Sequence, residues 1–129
     1  MLILAAITLN YGTGEVEKAK LEDLKITMLL IQGRAKIVID KEQFGEEYDK
    51  IGMTKVSDAT EYDMSNLQNL DTTNLYIWEQ EAMDNNDIDV EITTKDFFVI
   101  DYQTGEVYYS LGYNDGENTY YSLTDIQSL

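Results

Sequence analysis

The chain has 129 residues, a net charge of −16, and no cysteine, histidine or proline. Without cysteine there is no disulfide framework and no thiolate metal ligand. Without histidine the commonest general base and the commonest transition-metal ligand are missing, which excludes Ser-His-Asp and Cys-His catalysis and zinc sites built on these residues. The length is that of one domain able to bury a real core, and its turns must rest on glycine, asparagine and aspartate.

The charge is unevenly distributed. Residues 1–55 hold eight of the nine basic residues against nine acidic ones, whereas residues 56–129 hold Lys95 against sixteen. An acidic head of this kind repels phosphate backbones, so nucleic acid is not an expected partner.

Residues 1–14 read as the end of a truncated hydrophobic helix. Met1 to Leu9 is uncharged and leads into Asn10-Tyr11-Gly12-Thr13-Gly14. An apolar start this short covers about half of the roughly 20 residues that a bilayer core needs, and no basic stretch precedes it as in a secretory signal. The expectation is that Met1 lies inside a longer transmembrane helix.

From there a helix is predicted over 15–41. Leu21, Leu24, Met28, Ile31, Ala35 and Val38 recur at spacings of 3 and 4 on one face, and Glu17, Lys18, Glu22, Lys25, Arg34 and Lys36 lie opposite. Such a helix is roughly 40 Å long, more than a small core requires.

Gly45 and Gly52 interrupt the pattern, and 54–70 reads as an irregular polar stretch. A second, short helix is predicted over 72–84, with Asp71 as its cap and Leu75, Trp78 and Ala82 as its apolar face. Ile88, Val90 and Ile92 then alternate with acidic residues, and Phe97-Phe98-Val99-Ile100 follows, both segments reading as strand. Tyr102 to Glu106 forms a hairpin in which Gly105 takes the left-handed conformation, 107–111 returns antiparallel, and a turn at 113–117 leads to a last strand over 119–123. The predicted fold class is α+β: a long N-terminal helix covering one face of a C-terminal antiparallel sheet of three to four strands, with residues 15–129 as a single globular domain.

No catalytic constellation stands out. Glu79 with Glu81, or Asp87 with Asp89, could pair for acid-base work, but carboxylates are abundant enough that such pairs arise by chance. Gly12-Thr13-Gly14 lacks the strand and further glycine of a dinucleotide loop, and no phosphate loop is present. An enzyme is not expected, and no cofactor. Calcium is the one ion to weigh: 84–89 and 114–118 are rich in oxygen ligands, yet neither matches an EF-hand, and helix termination and hairpin turn chemistry account for both. Five of the ten tyrosines, Tyr108, Tyr109, Tyr113, Tyr120 and Tyr121, cluster on the last strands. Alternation places one of each adjacent pair in the core and the other on the surface, where tyrosine suits an interface.

The apolar start running into a charged amphipathic helix, with the later hairpin Val99-Ile100-Asp101-Tyr102-Gln103-Thr104-Gly105-Glu106-Val107-Tyr108, resembles the type IV pilin and type II secretion pseudopilin superfamily, in particular its cysteine-free Gram-positive members. The similarity extends to Leu2 through Leu9 with Gly12-Thr13-Gly14 and Glu17-Lys18-Ala19-Lys20. The processing motif of that family, a glycine before the apolar run and a glutamate at the fifth mature position, is absent. The resemblance implies a pilin-like structural subunit of a filament, anchored in the membrane through the missing upstream part of its helix, displayed at the cell surface or outside it, and self-associating with like subunits. Leu2, Ile3, Leu4, Ile7 and Leu9 would then be the assembly element. The contrasting expectation is a small acidic cytoplasmic protein that binds basic partners or mimics nucleic-acid charge.

Overall fold

A computed structural model describes residues 14–43 and 51–129, with side chains over 20–41 and 51–129. The assembly residues Leu2, Ile3, Leu4, Ile7 and Leu9 lie outside the described residues. The fold is α+β. Helix α1 (Gly14–Gln43) is followed by strands β1 (Met53–Lys55) and β2 (Leu75–Trp78), helix α2 (Gln80–Asn85), strands β3 (Phe98–Asp101), β4 (Val107–Asn114) and β5 (Thr119–Ser122), and helix α3 (Leu123–Gln127). The strands form one antiparallel sheet in the order β1-β2-β3-β4-β5. Five strands replace the three or four expected, because Met53–Lys55 and Leu75–Trp78 add to the predicted C-terminal meander.

The first helix places its stripe as the spacing predicts. Leu24, Met28, Ile31, Ala35 and Val38 are fully buried and share a core with Trp78, Phe98, Ile100, Val107 and Tyr109 of the sheet and with Leu123 and Ile126 of α3. Polar contacts hold α1 in place: Gln32 Nε2 donates to the Gly105 carbonyl at 2.8 Å and Lys25 Nζ to the Leu129 carbonyl at 3.1 Å. The hairpin that receives Gln32 closes as expected. Gly105 sits at φ +80°, its N–H donates to the Asp101 carbonyl at 2.8 Å, and Asp101 Oδ1 accepts from the Gln103 N–H at 2.7 Å.

The predicted second helix over 72–84 is corrected. Asp71 caps as expected, accepting from the Thr73 N–H at 3.0 Å, but the turn it caps is a single 3-10 turn, Thr72–Asn74. The chain then extends as β2 and becomes helical only at Gln80. Leu75-Tyr76-Ile77-Trp78 is a short apolar run with no polar face, for which periodicity cannot separate helix from strand. In the strand, Leu75 and Ile77 belong to one core and Trp78 to the other, with Tyr76 packed against the latter.

The alternating segment at Ile88, Val90 and Ile92 is also corrected, since it belongs to no sheet and turns tightly at its start, the Val90 N–H donating to the Ile88 carbonyl at 3.1 Å. Its backbone is satisfied by a side chain: Gln80 Nε2 donates to the Val90 carbonyl and Gln80 Oε1 accepts from the Ile92 N–H, each at 2.8 Å. With those groups engaged and Ile88 and Val90 buried in the α1-side core, no neighbouring strand is needed.

The stretch 54–70 is more than a surface loop. Ala59 and Leu67 are buried with Leu75, Ile77, Phe97 and Val99 on the sheet face away from α1, and the Tyr62 ring meets Phe97 edge-on at 5.1 Å. Both faces of the sheet are therefore covered, where one wet face was expected. Asn66 Nδ2 ties this layer to the sheet by donating to the Ser110 carbonyl at 3.0 Å.

Asp96 and Tyr109 are the polar weak point of the core. Asp96 Oδ1 and the Tyr109 hydroxyl are buried without a partner in ordinary hydrogen-bond geometry. Burial raises the Asp96 carboxyl above the usual carboxylate range, with Glu91 adding to the rise and the Tyr109 hydroxyl partly opposing it.

Two outcomes follow from this packing. Ile31→Ala and Leu24→Ala should each destabilise the protein by about 2–5 kcal/mol, read by urea unfolding, and unchanged midpoints would place the stripe elsewhere. Because the folded protein holds the Asp96 proton more tightly than the unfolded chain does, the contribution of this group is fully present below the unfolded pKa of about 4 and is lost as pH rises through the folded value. Asp96→Asn should therefore stabilise the protein at pH 7, by about 1 kcal/mol, with the gain shrinking as pH falls toward 4. An equal gain at both pH values would show that charge is not the cause.

Candidate functional site

Among the described residues, two surfaces stand apart from the cores as candidates. The first is the outer side of α1. Ile26, Leu30 and Ile37 are 56 %, 46 % and 47 % exposed, and Leu29 is 43 % exposed. Together with Gly33 they follow a 4-3-4 spacing, so Ile26, Leu30, Gly33 and Ile37 form a second apolar stripe on the helix. A methyl group added at Gly33 would meet nothing within 4 Å. The side expected to be charged is thus only partly so: Glu22, Arg34 and Lys36 are exposed beside the stripe, while Lys25 turns to the Leu129 carbonyl and lies 3.7 Å from Glu22. A 4-3-4 spacing is legible in the sequence, but the stripe already assigned to the sheet accounts for the helix and draws attention from a second one.

The second surface is a groove of about 450 Å³ between residues 65–70 and the β5 side of the sheet. Tyr108, Tyr121, Asn66, Leu70, Glu106 and Asp125 line it, and among the described residues no lysine or arginine does. Its shape depends on a bulge: the register of β4 against β5 shifts between Tyr108 and Tyr113, with Gly112 at φ +70° inside the shift. A Cβ at Gly112 would lie 2.7 Å from the Tyr121 ring, so the glycine lets that ring settle onto the strand.

Glu106 is held in place, accepting from Thr124 Oγ1 at 2.6 Å and from the Thr124 N–H at 3.2 Å. Burial first, and then the negative charges of Glu106, Asp101 and Asp125, raise the Tyr108 phenol above its ordinary value, so the groove lies in a negative field. Tyr109, on the other face, stacks on Phe98 at 4.9 Å inside the core. Tyr108 and Tyr109 therefore part as the alternation predicts, although Tyr108 is half-buried against the 56–70 layer.

Five of the other candidate groups, Glu79, Asp84, Asn86, Asn114 and Asp115, are engaged locally. Glu79 accepts from Thr54 Oγ1 and precedes α2. Asp84 Oδ1 accepts from Gln80 Nε2 at 3.0 Å, and Asn86 Nδ2 donates to the Ala82 carbonyl at 2.8 Å. In the second oxygen-rich turn, Asp115 Oδ1 accepts from the N–H groups of Glu117 and Asn118, both at 2.9 Å, and Asn114 Oδ1 from that of Gly116 at 2.7 Å. Both segments act as helix-end and turn chemistry. Among the described residues no group of three or more carboxylates is placed to hold a metal ion, and no helix is long and apolar enough to cross a membrane.

Comparison with protein-family models, with curated proteins and with solved structures finds no match to this chain.

Proposed function

We propose that the chain is a non-catalytic structural subunit of a pilus-like or pseudopilus filament, anchored in the membrane, displayed at the cell surface and assembled through its N-terminal helix. The observation that carries this reading is the second apolar stripe of α1. One face of the helix covers the sheet, and the other presents Ile26, Leu30 and Ile37 to solvent around a glycine that the monomer does not need. Glycine in a helix interior costs about 1 kcal/mol relative to alanine, and its return is the close approach of another backbone. The apolar ridge from Ile26 to Ile37, roughly 17 Å of helix and rimmed by charges of both signs, is suited to packing against neighbouring helices.

Charge distribution favours the same arrangement. Residues 1–55 are nearly neutral, so bundled helices bring little net charge together, while the acidic remainder repels its copies and stays outside.

Cysteines placed at Ile26 and Ile37 meet no native thiol, and in cells expressing the chain they should crosslink it into a ladder of oligomers. Leu30→Lys should abolish that ladder and leave folding stability within about 0.5 kcal/mol, since the side chain is exposed. Gly33→Ala should raise the stability of the dilute protein by about 0.5–1 kcal/mol and weaken crosslinking. A protein that stays monomeric at every concentration, with no ladder in cells, would sink the filament reading.

A further inference from the structure

Strand β5 is an edge, pairing among the described residues with β4 alone. Exposed edges are usually blunted by charge, proline or a covering element, because their unpaired N–H and C=O groups invite another strand. The opposite edge, β1, carries Lys55, whereas β5 is Thr119-Tyr120-Tyr121-Ser122, with no charged residue. Beside this uncharged edge lies the groove lined by Tyr108, Tyr121, Glu106 and Asp125 and, among the described residues, by no cationic side chain. Tyrosine faces and carboxylates together attract one class of group, a cation carried on an apolar stem: the ring offers its negative face and the carboxylates supply Coulomb attraction where solvent is partly excluded. Among the described residues the groove lining itself holds no internal cation to fill this role.

We propose that the β5 edge and its groove bind an extended basic peptide segment, whose backbone continues the sheet and whose lysine or arginine side chain enters the groove toward Glu106 and Asp125. Strand addition supplies main-chain hydrogen bonds, and alternation of the added strand sends every second side chain to the groove face, so the carboxylates select among sequences. The bulge at Gly112 places Tyr121 for this contact. The site is on a different element from the α1 stripe and does not depend on filament assembly.

The test uses the full chain and a fluorescein-labelled heptapeptide of alternating lysine and valine, at about 0.15 M salt so that long-range attraction is screened. Expected are saturable one-to-one binding and slowed amide hydrogen exchange over 119–122. Asp125→Asn and Tyr121→Ala should each weaken binding roughly fivefold, the scale of one partly exposed charge or cation–π contact. Asp58→Asn makes the same charge change beside β1 at the far edge of the sheet and should leave binding unaltered. The proposal is overturned by any of four results: no saturable binding, equal weakening by Asp58→Asn, unchanged exchange over 119–122, or equally tight binding of a heptapeptide of alternating threonine and valine.

Discussion

Strand β3 and the residue before it are apolar on both faces: Phe98 and Ile100 belong to the core beneath α1, and Phe97 and Val99 to the core beneath residues 56–70. All four are fully buried. A strand of this kind cannot sit in a sheet with one wet face, because full burial of each such side chain is worth about 1.5–3 kcal/mol and exposure of either set forfeits it. The two-layer cover follows from that requirement. The long helix takes one face, the irregular stretch after β1 takes the other, and the sheet lies between them.

Packing irregular chain against the two cores brings a polar problem, since loop backbone near a core must find partners. Side chains solve it at two points. Gln80 satisfies both the Val90 carbonyl and the Ile92 N–H. Ser110 Oγ accepts from the Phe97 N–H and donates to the Lys95 carbonyl, each at 2.9 Å, while its own carbonyl accepts from Asn66. Trp78 closes a third link inside the α1-side core, donating from Nε1 to the Tyr102 hydroxyl at 3.1 Å. Asp96 with Tyr109 is where this accounting is left incomplete.

The surfaces proposed for function are those that the internal requirements leave unused. A helix needs one face to cover a sheet, and α1 has two apolar stripes. The sheet's first edge carries a lysine and its last edge does not. Each surplus has a matching environment: mixed charge around the helix stripe, and a β5 groove lined, among the described residues, by carboxylates and no cation. Near-neutral helices can pack on one another, whereas an acidic groove calls for a basic partner.

The sequence by itself determined the α+β class, the buried stripe of α1, the Gly105 hairpin and the divergence of Tyr108 from Tyr109. Each is a local matter, written as a 3.6-residue period, as a glycine at a positive-φ position or as strand alternation. What the tertiary structure alone decided are the features set by partners distant in sequence. Leu75-Tyr76-Ile77-Trp78 is strand because β1 and β3 flank it. Ile88 to Ile92 is not strand because Gln80 holds its backbone groups. The Tyr108 groove exists because residues 65–70 and β5 meet across the sheet face. A four-residue apolar run and an alternating segment carry the same pattern whether or not a neighbouring strand is present, and only long-range pairing removes that ambiguity.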